Sequence, residues 1–90
     1  MKSVYKFEFS RDAEEQFSRF DKPLKVRILK KLDFFQSLPN PLSQAKALKG
    51  YESCFRYRVG DYRIIFKPKN RETFVILLIL KIAHRREIYE

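Results

Sequence analysis

Cysteine is nearly absent: Cys54 is the only one in 90 residues. A disulfide framework within one chain is thereby excluded, and no zinc-ligand spacing exists. Cys54 reads as a small, half-buried strand residue, and a reducing cytoplasm suits it. Glycine and proline are scarce, at two and four residues, which argues against a disordered or low-complexity chain. Long apolar runs are missing as well. Phe74 to Leu80 is continuous and apolar, but it is too short to cross a bilayer and reads as a strand buried on both faces. Met1 to Ser10 alternates polar and apolar residues, unlike a secretory signal. There is no Gly-rich phosphate loop, no His-Glu-x-x-His and no aspartate cluster for two metals. These absences predict a chain without cofactor, metal or membrane partner.

What is present is apolar bulk and positive charge. Hydrophobic residues make up 44%, with nine Phe and five Tyr. That suffices for one core and one domain, residues 1–90. The net charge is +9, from 20 Lys and Arg against 11 Asp and Glu. So strong a field calls for an anionic partner, nucleic acid first. An acidic protein partner is compatible with that. A membrane surface fits less well, because the basic residues do not follow one amphipathic helix.

The periodicity changes along the chain. Tyr5, Phe7 and Phe9 alternate with Lys6 and Glu8, which predicts a strand with one buried face. Ser10 stands at an N-cap position, with Asp12, Glu14 and Glu15 in the first turn behind it. Ala13, Phe17 and Phe20 keep helical spacing, so a helix is expected from about Arg11 to Phe20. Asp21 can cap a second helix with Pro23 in its first turn. Leu24, Ile28, Phe35 and Leu38 share one face of it, with Leu32 at the edge, and Pro39-Asn40-Pro41 ends it. A connector follows, with one helical turn expected around Ala45 to Leu48. Ser53 to Val59 and Tyr62 to Lys67 read as strands joined at Gly60-Asp61, and Thr73 to Ala83 as a long central strand. The expected fold is α+β: an N-terminal strand, a two-helix hairpin, then a mainly antiparallel three-strand meander, with the helices on one face.

The hairpin register carries the chemistry. A two-residue loop at Gly60-Asp61 sets Val59 opposite Tyr62, Arg58 opposite Arg63 and Arg56 opposite Ile65. Cross-strand partners share a face. Arg56, Arg58 and Arg63 therefore project together, and Tyr57, Val59, Tyr62 and Ile64 project the other way. Like charges directly opposite are destabilising. A bound phosphodiester explains the arrangement, because guanidinium groups fork onto phosphate oxygens and stay charged. A solvated basic edge explains it equally well on charge alone. His84, Arg85, Arg86 and Tyr89 follow the last strand directly, at a point from which they could reach the arginine face. Histidine suits proton transfer near neutrality, although a lone histidine is more often a surface residue. Tyr89 could stack on a base or pack as a C-terminal aromatic.

The segments Leu48-Lys49-Gly50, Cys54-Phe55-Arg56-Tyr57-Arg58-Val59-Gly60-Asp61-Tyr62-Arg63-Ile64-Ile65-Phe66 and His84-Arg85-Arg86-Glu87-Ile88-Tyr89 resemble RelE toxins of toxin–antitoxin pairs. The opening strand, helix pair and length match too, so the resemblance spans nearly the whole chain. It implies a cytoplasmic, metal-independent mRNA endoribonuclease acting on the ribosome, typically at the A site. In that chemistry the 2′-hydroxyl attacks the adjacent phosphate and leaves a 2′,3′-cyclic phosphate and a 5′-hydroxyl. The resemblance assigns Arg63 to the phosphate, Arg85 to the leaving group and Tyr89 to stacking. Arg56 and Arg58 stand where the best-known member has lysines, one of them assigned as general base. A guanidinium is a poor base, so either electrostatics carries most of the rate or another group takes the proton, and His84 is then the candidate. The implied partners are an acidic RelB-like antitoxin, mRNA and the ribosome, with operator DNA through the antitoxin complex. ParE toxins, similar in fold, inhibit DNA gyrase, so a ParE-like gyrase inhibitor or a non-cleaving nucleic-acid or antitoxin-binding regulator is the alternative.

Overall fold

Two short polar side chains set where the helices begin. In the computed structural model, which describes residues 5–48, 50–51, 53–70 and 74–84, the Ser10 hydroxyl accepts from the Ala13 N–H at 3.1 Å and starts α1 (Arg11–Ser18). The Asp21 carboxylate accepts from the Leu24 N–H at 3.1 Å and starts α2 (Lys22–Ser37). Each cap satisfies one of the amides that a helix N-terminus leaves unpaired. The first helix ends earlier than its apolar spacing predicts. The Arg19 and Phe20 N–H groups bond three residues back, to Gln16 and Phe17, and tighten the last turn. The second ends where Leu38 turns extended, at φ −70° and ψ 148°, because a residue before proline is pushed out of the helical region.

The connector differs from the sequence expectation. Its helical turn is a 3-10 helix at Pro41–Gln44, ahead of the Ala45 to Leu48 position predicted for it. Asn40 caps this turn through its side-chain oxygen and Pro41 presets its first φ, so the turn nucleates there and Ala45 is already extended. Lys46–Ala47 then pairs as a two-residue strand, β2. The remaining strands are β1 (Tyr5–Phe9), β3 (Phe55–Val59), β4 (Tyr62–Asn70) and β5 (Val75–His84). They form one sheet in the order β1-β5-β4-β3-β2, with β1 parallel to β5 and all other pairs antiparallel. The expected α+β architecture is present, with β2 added at one edge.

The helices cover one face. Ile28, Leu32 and Phe35 of α2 and Ala13 of α1 join Tyr57, Val59, Ile64, Phe66, Leu77, Ile79 and Ile82 in the core. Phe35 stacks on Tyr57 at 3.9 Å between ring centroids, and Tyr57 stacks on Phe66 at 4.5 Å. The Tyr57 hydroxyl donates to the Pro41 carbonyl at 2.6 Å, which ties the connector to the sheet. Burial pushes that phenol far above the ordinary tyrosine range. Tyr57 is therefore a protonated donor throughout the physiological range.

Two glutamines close the open side of the sheet. β1 pairs with β5 only as far as Ile79, and beyond it the Gln16 amide oxygen accepts from the Ile82 N–H at 3.0 Å. On the outer edge of β1, the Gln36 amide oxygen accepts from the Phe7 N–H at 3.3 Å. Side chains thus occupy N–H groups that an unpaired edge would offer to another chain.

Candidate functional site

The arginine face begins at the β3–β4 turn. Gly60 has φ +60° and Asp61 is not in the positive region, the pattern of a type II′ hairpin turn. A Cβ at Gly60 would sit 3.1 Å from the Arg27 Nη1 and in a φ region that L side chains avoid. That turn sets the register: Val59 opposite Tyr62, Arg58 opposite Arg63, Tyr57 opposite Ile64 and Arg56 opposite Ile65. The register is the one the sequence predicts, and Tyr57, Val59 and Ile64 are buried against the helices. Arg56, Arg58 and Arg63 accordingly share the sheet face opposite the helices.

These three arginines line a shallow cleft of about 90 Å³ together with Gln44 and Lys46. Lys46 lies directly opposite Arg56 across the β2–β3 pair. Arg56 and Arg63 are half-buried, and each has its Nη1 atom withdrawn from solvent, whereas Arg58 is exposed. Withdrawing guanidinium heads from water strengthens their attraction for an anion. By register the Cβ of Lys81, opposite Ile65, points to this face, and the residue also borders a cavity against α1. Three guanidinium groups and an amine in one small cleft suit an oxyanion. Its fork-shaped donors suit a phosphodiester in particular.

A larger cavity of about 360 Å³ lies between α1 and β5, lined by Asp12, Glu15, Gln16, Arg19, Leu80 and Lys81. Its two carboxylates would repel a phosphate, and Arg19 is bonded to Glu15 at 2.9 Å. Charge therefore favours the smaller cleft as the anion site. Among the described residues, no group of three or more His, Cys, Asp or Glu side chains could hold a metal.

His84 does not join the arginines. It pairs with Tyr62, and their rings meet edge to face at 5.2 Å. Tyr62 in turn contacts Phe20, at 5.6 Å between centroids. This places His84 on the helix side of the sheet, while its neighbour Ala83 faces the Arg63 side. The sequence reading allowed the end of β5 to reach the arginines without fixing its parity. One residue of register decides the face. Arg85 and Tyr89 lie outside the described residues.

Sequence reasoning missed Gln44 and Lys46. The available signal was Lys46-Ala47-Leu48 ahead of Ser53 to Val59, a short segment able to return as an edge strand. With two paired residues it carries too little alternation to be recognised. Lys81 was missed because a bulge in β5, opposite Ile65 and Phe66, shifts the parity of that strand.

This arrangement of two helices on one face of a mixed five-stranded sheet is the RelE-like toxin fold. The structure aligns with a RelBE toxin–antitoxin complex from Mycobacterium tuberculosis at a TM-score of 0.72 and 23% identity, covering 91% of this chain and 99% of the other. It aligns with the RelE–RelB complex of Pyrococcus horikoshii at 0.69 and 22%, covering 94% and 99%. For the Escherichia coli RelBE complex the values are 0.66 and 16%, covering 89% and 95%. No curated protein matches the chain. The family model for the ParE toxin of the type II toxin–antitoxin system, parDE, matches residues 7–89. The chain therefore belongs to this family, and it is a toxin of the RelE/ParE superfamily.

Proposed function

We propose that this toxin is a metal-independent endoribonuclease that cleaves mRNA in the cytoplasm, on the ribosome. The observation that carries the reading is the convergence of Arg56, Arg58 and Arg63 on one cleft, with two like charges in direct register. That pairing opposes folding and is accounted for by an anionic ligand.

In the proposed reaction the 2′-oxygen of one nucleotide bonds to the adjacent phosphorus and the bond from phosphorus to the 5′-oxygen breaks. The 2′-hydroxyl loses its proton and the departing 5′-oxygen gains one. The products are a 2′,3′-cyclic phosphate and a 5′-hydroxyl. The pentacoordinate transition state carries extra negative charge on its equatorial oxygens, and preformed guanidinium donors stabilise that charge more than they stabilise the ground state. Arg63, with its half-withdrawn head, holds the phosphate, and Arg56 and Arg58 flank it. No arginine can take the proton. Of the described cleft residues only Lys46 carries an amine that can act as a base once deprotonated, so it stands in for the lysines that the resemblance to RelE would place on β3. His84, on the other face, takes no part. Arg85 and Tyr89 complete the set by resemblance, at the leaving group and on a base.

The partner that restrains the toxin is proposed to be an acidic, RelB-like antitoxin, drawn to the +9 chain, with operator DNA bound through their complex. Such capture is fast and salt-sensitive. The match to the ParE family model favours a second reading, inhibition of DNA gyrase. Ribosome-programmed mRNA cleavage with identification of the product ends tests the first reading, and a gyrase supercoiling assay tests the second.

A further inference from the structure

The cationic face does not stop at the cleft. Along β4, Arg63, Ile65, Lys67 and Lys69 alternate with the core residues Ile64 and Phe66, so they form one column on the face opposite the helices. Lys67 and Lys69 are exposed, about 14 and 20 Å from Arg63 at roughly 3.4 Å per residue. Neither makes an ion pair among the described residues. Beside Lys67 in the sheet stands Leu78, half-buried, and beyond Leu78 stands Glu8 on β1. This row therefore runs cation, apolar, anion. In the next row Ile76 lies between Lys69 and Lys6, and the Lys6 amine is drawn over the Phe74 ring at 5.4 Å.

We infer that Lys67 and Lys69 form a rail that holds the backbone of single-stranded RNA running along β4 out of the arginine cleft, with its bases turned towards Ile65 and Leu78. The inference rests on the RNA reading of that cleft and adds the path and the strandedness of the substrate. The cationic column attracts phosphates, and Glu8 keeps them off the β1 side. The half-buried apolar side chains of Ile65 and Leu78 suit a chain whose bases are unpaired, because a duplex keeps its bases stacked inside.

The test measures binding, so it does not depend on cleavage. The probe is an oligoribonucleotide of about twelve nucleotides with 2′-O-methyl sugars, which lack the attacking hydroxyl. Its affinity is measured across a salt series, beside a trimer and a duplex of the same length. Replacing both rail lysines (Lys67→Ala, Lys69→Ala) should flatten the salt slope for the long strand by about 1.4, or 0.7 for each lost phosphate contact. The trimer, which spans only the cleft, should bind both proteins alike, and the duplex should bind more weakly than the single strand. Removing two exposed lysines of α2 instead (Lys22→Ala, Lys30→Ala) takes the same charge from the helix side and should leave the slope in place. Equal slopes for the rail and helix variants would overturn the inference, as would preference for the duplex or failure of the long strand to bind. So would tighter, rail-dependent binding of a polyglutamate peptide, which would make the rail a site for an acidic polypeptide. If the rail variants behave as expected while programmed mRNA stays intact, the cleavage reading fails and the rail stands. If mRNA is cut and the rail variants match wild type, the rail alone fails.

Discussion

Arg58 and Arg63 face each other across the β3–β4 hairpin, two guanidinium side chains in direct register on one face of the sheet. Opposed like charges destabilise a strand pair, by an amount within the ~0.2–1 kcal/mol range of cross-strand interactions. Arg58→Gln, at the exposed member of the pair, should therefore raise the denaturant midpoint while slowing cleavage. A variant both less stable and less active would place Arg58 among the structural residues.

Proton transfer separates Lys46 from His84. Lys46→Arg keeps a cationic group and removes the amine that can act as a base, so it should slow single-turnover cleavage on the order of 100-fold. It should also leave binding of an uncleavable RNA intact. His84→Gln should be nearly silent in rate and in pH profile, because its ring lies against Tyr62 on the helix side. A slow His84→Gln protein beside an unaffected Lys46→Arg protein would reverse these roles.

The Tyr57 hydroxyl supports the fold and does no chemistry. Tyr57→Phe leaves the Pro41 carbonyl without its buried donor and should cost about 1–3 kcal/mol in denaturant unfolding. The phenol is held neutral in the folded state, so its pKa there lies above the unfolded value. Its contribution is then fully present below about pH 10, the ordinary tyrosine value, and is lost as pH rises beyond it, because only the unfolded chain ionises readily. Tyr57→Phe should remove part of that alkaline loss. An unchanged alkaline limb would mean that other tyrosines dominate it.

Gln16 protects the end of β5 next to the Arg63–Ala83 pair. Gln16→Ala leaves the Ile82 N–H open, and the expected cost is about 1 kcal/mol, with faster hydrogen exchange at Ile82. Exchange at the wild-type rate would show that the side chain does not hold this edge.

Much of the fold was legible because several local signals agreed. Ser10 and Asp21 mark the helix starts, Pro39 forces Leu38 out of α2, and Gly60 selects the turn that aligns the arginines. The arginine face followed from that turn alone, since a two-residue hairpin leaves no freedom of register. Three features were not legible. β2 is two residues long and pairs only through tertiary context. The bulge opposite Ile65 and Phe66 moves Lys81 to the arginine face, which no periodicity announces. His84 sits one residue beyond Ala83, and the sign of its face depends on that same bulge. Sequence reading could bring His84 to the end of the sheet but not to a side of it.

Arg63 is proposed to hold the phosphate of an RNA cut by its own 2′-hydroxyl. The most direct measurement is cleavage of mRNA programmed on ribosomes by wild-type and Arg63→Ala proteins, with the product ends identified. The expected result is 2′,3′-cyclic phosphate and 5′-hydroxyl ends from the wild type, without added metal, and cleavage slowed by about 100-fold or more in the variant. Cleavage at the wild-type rate by a folded Arg63→Ala protein, or intact mRNA with the wild type, would contradict it.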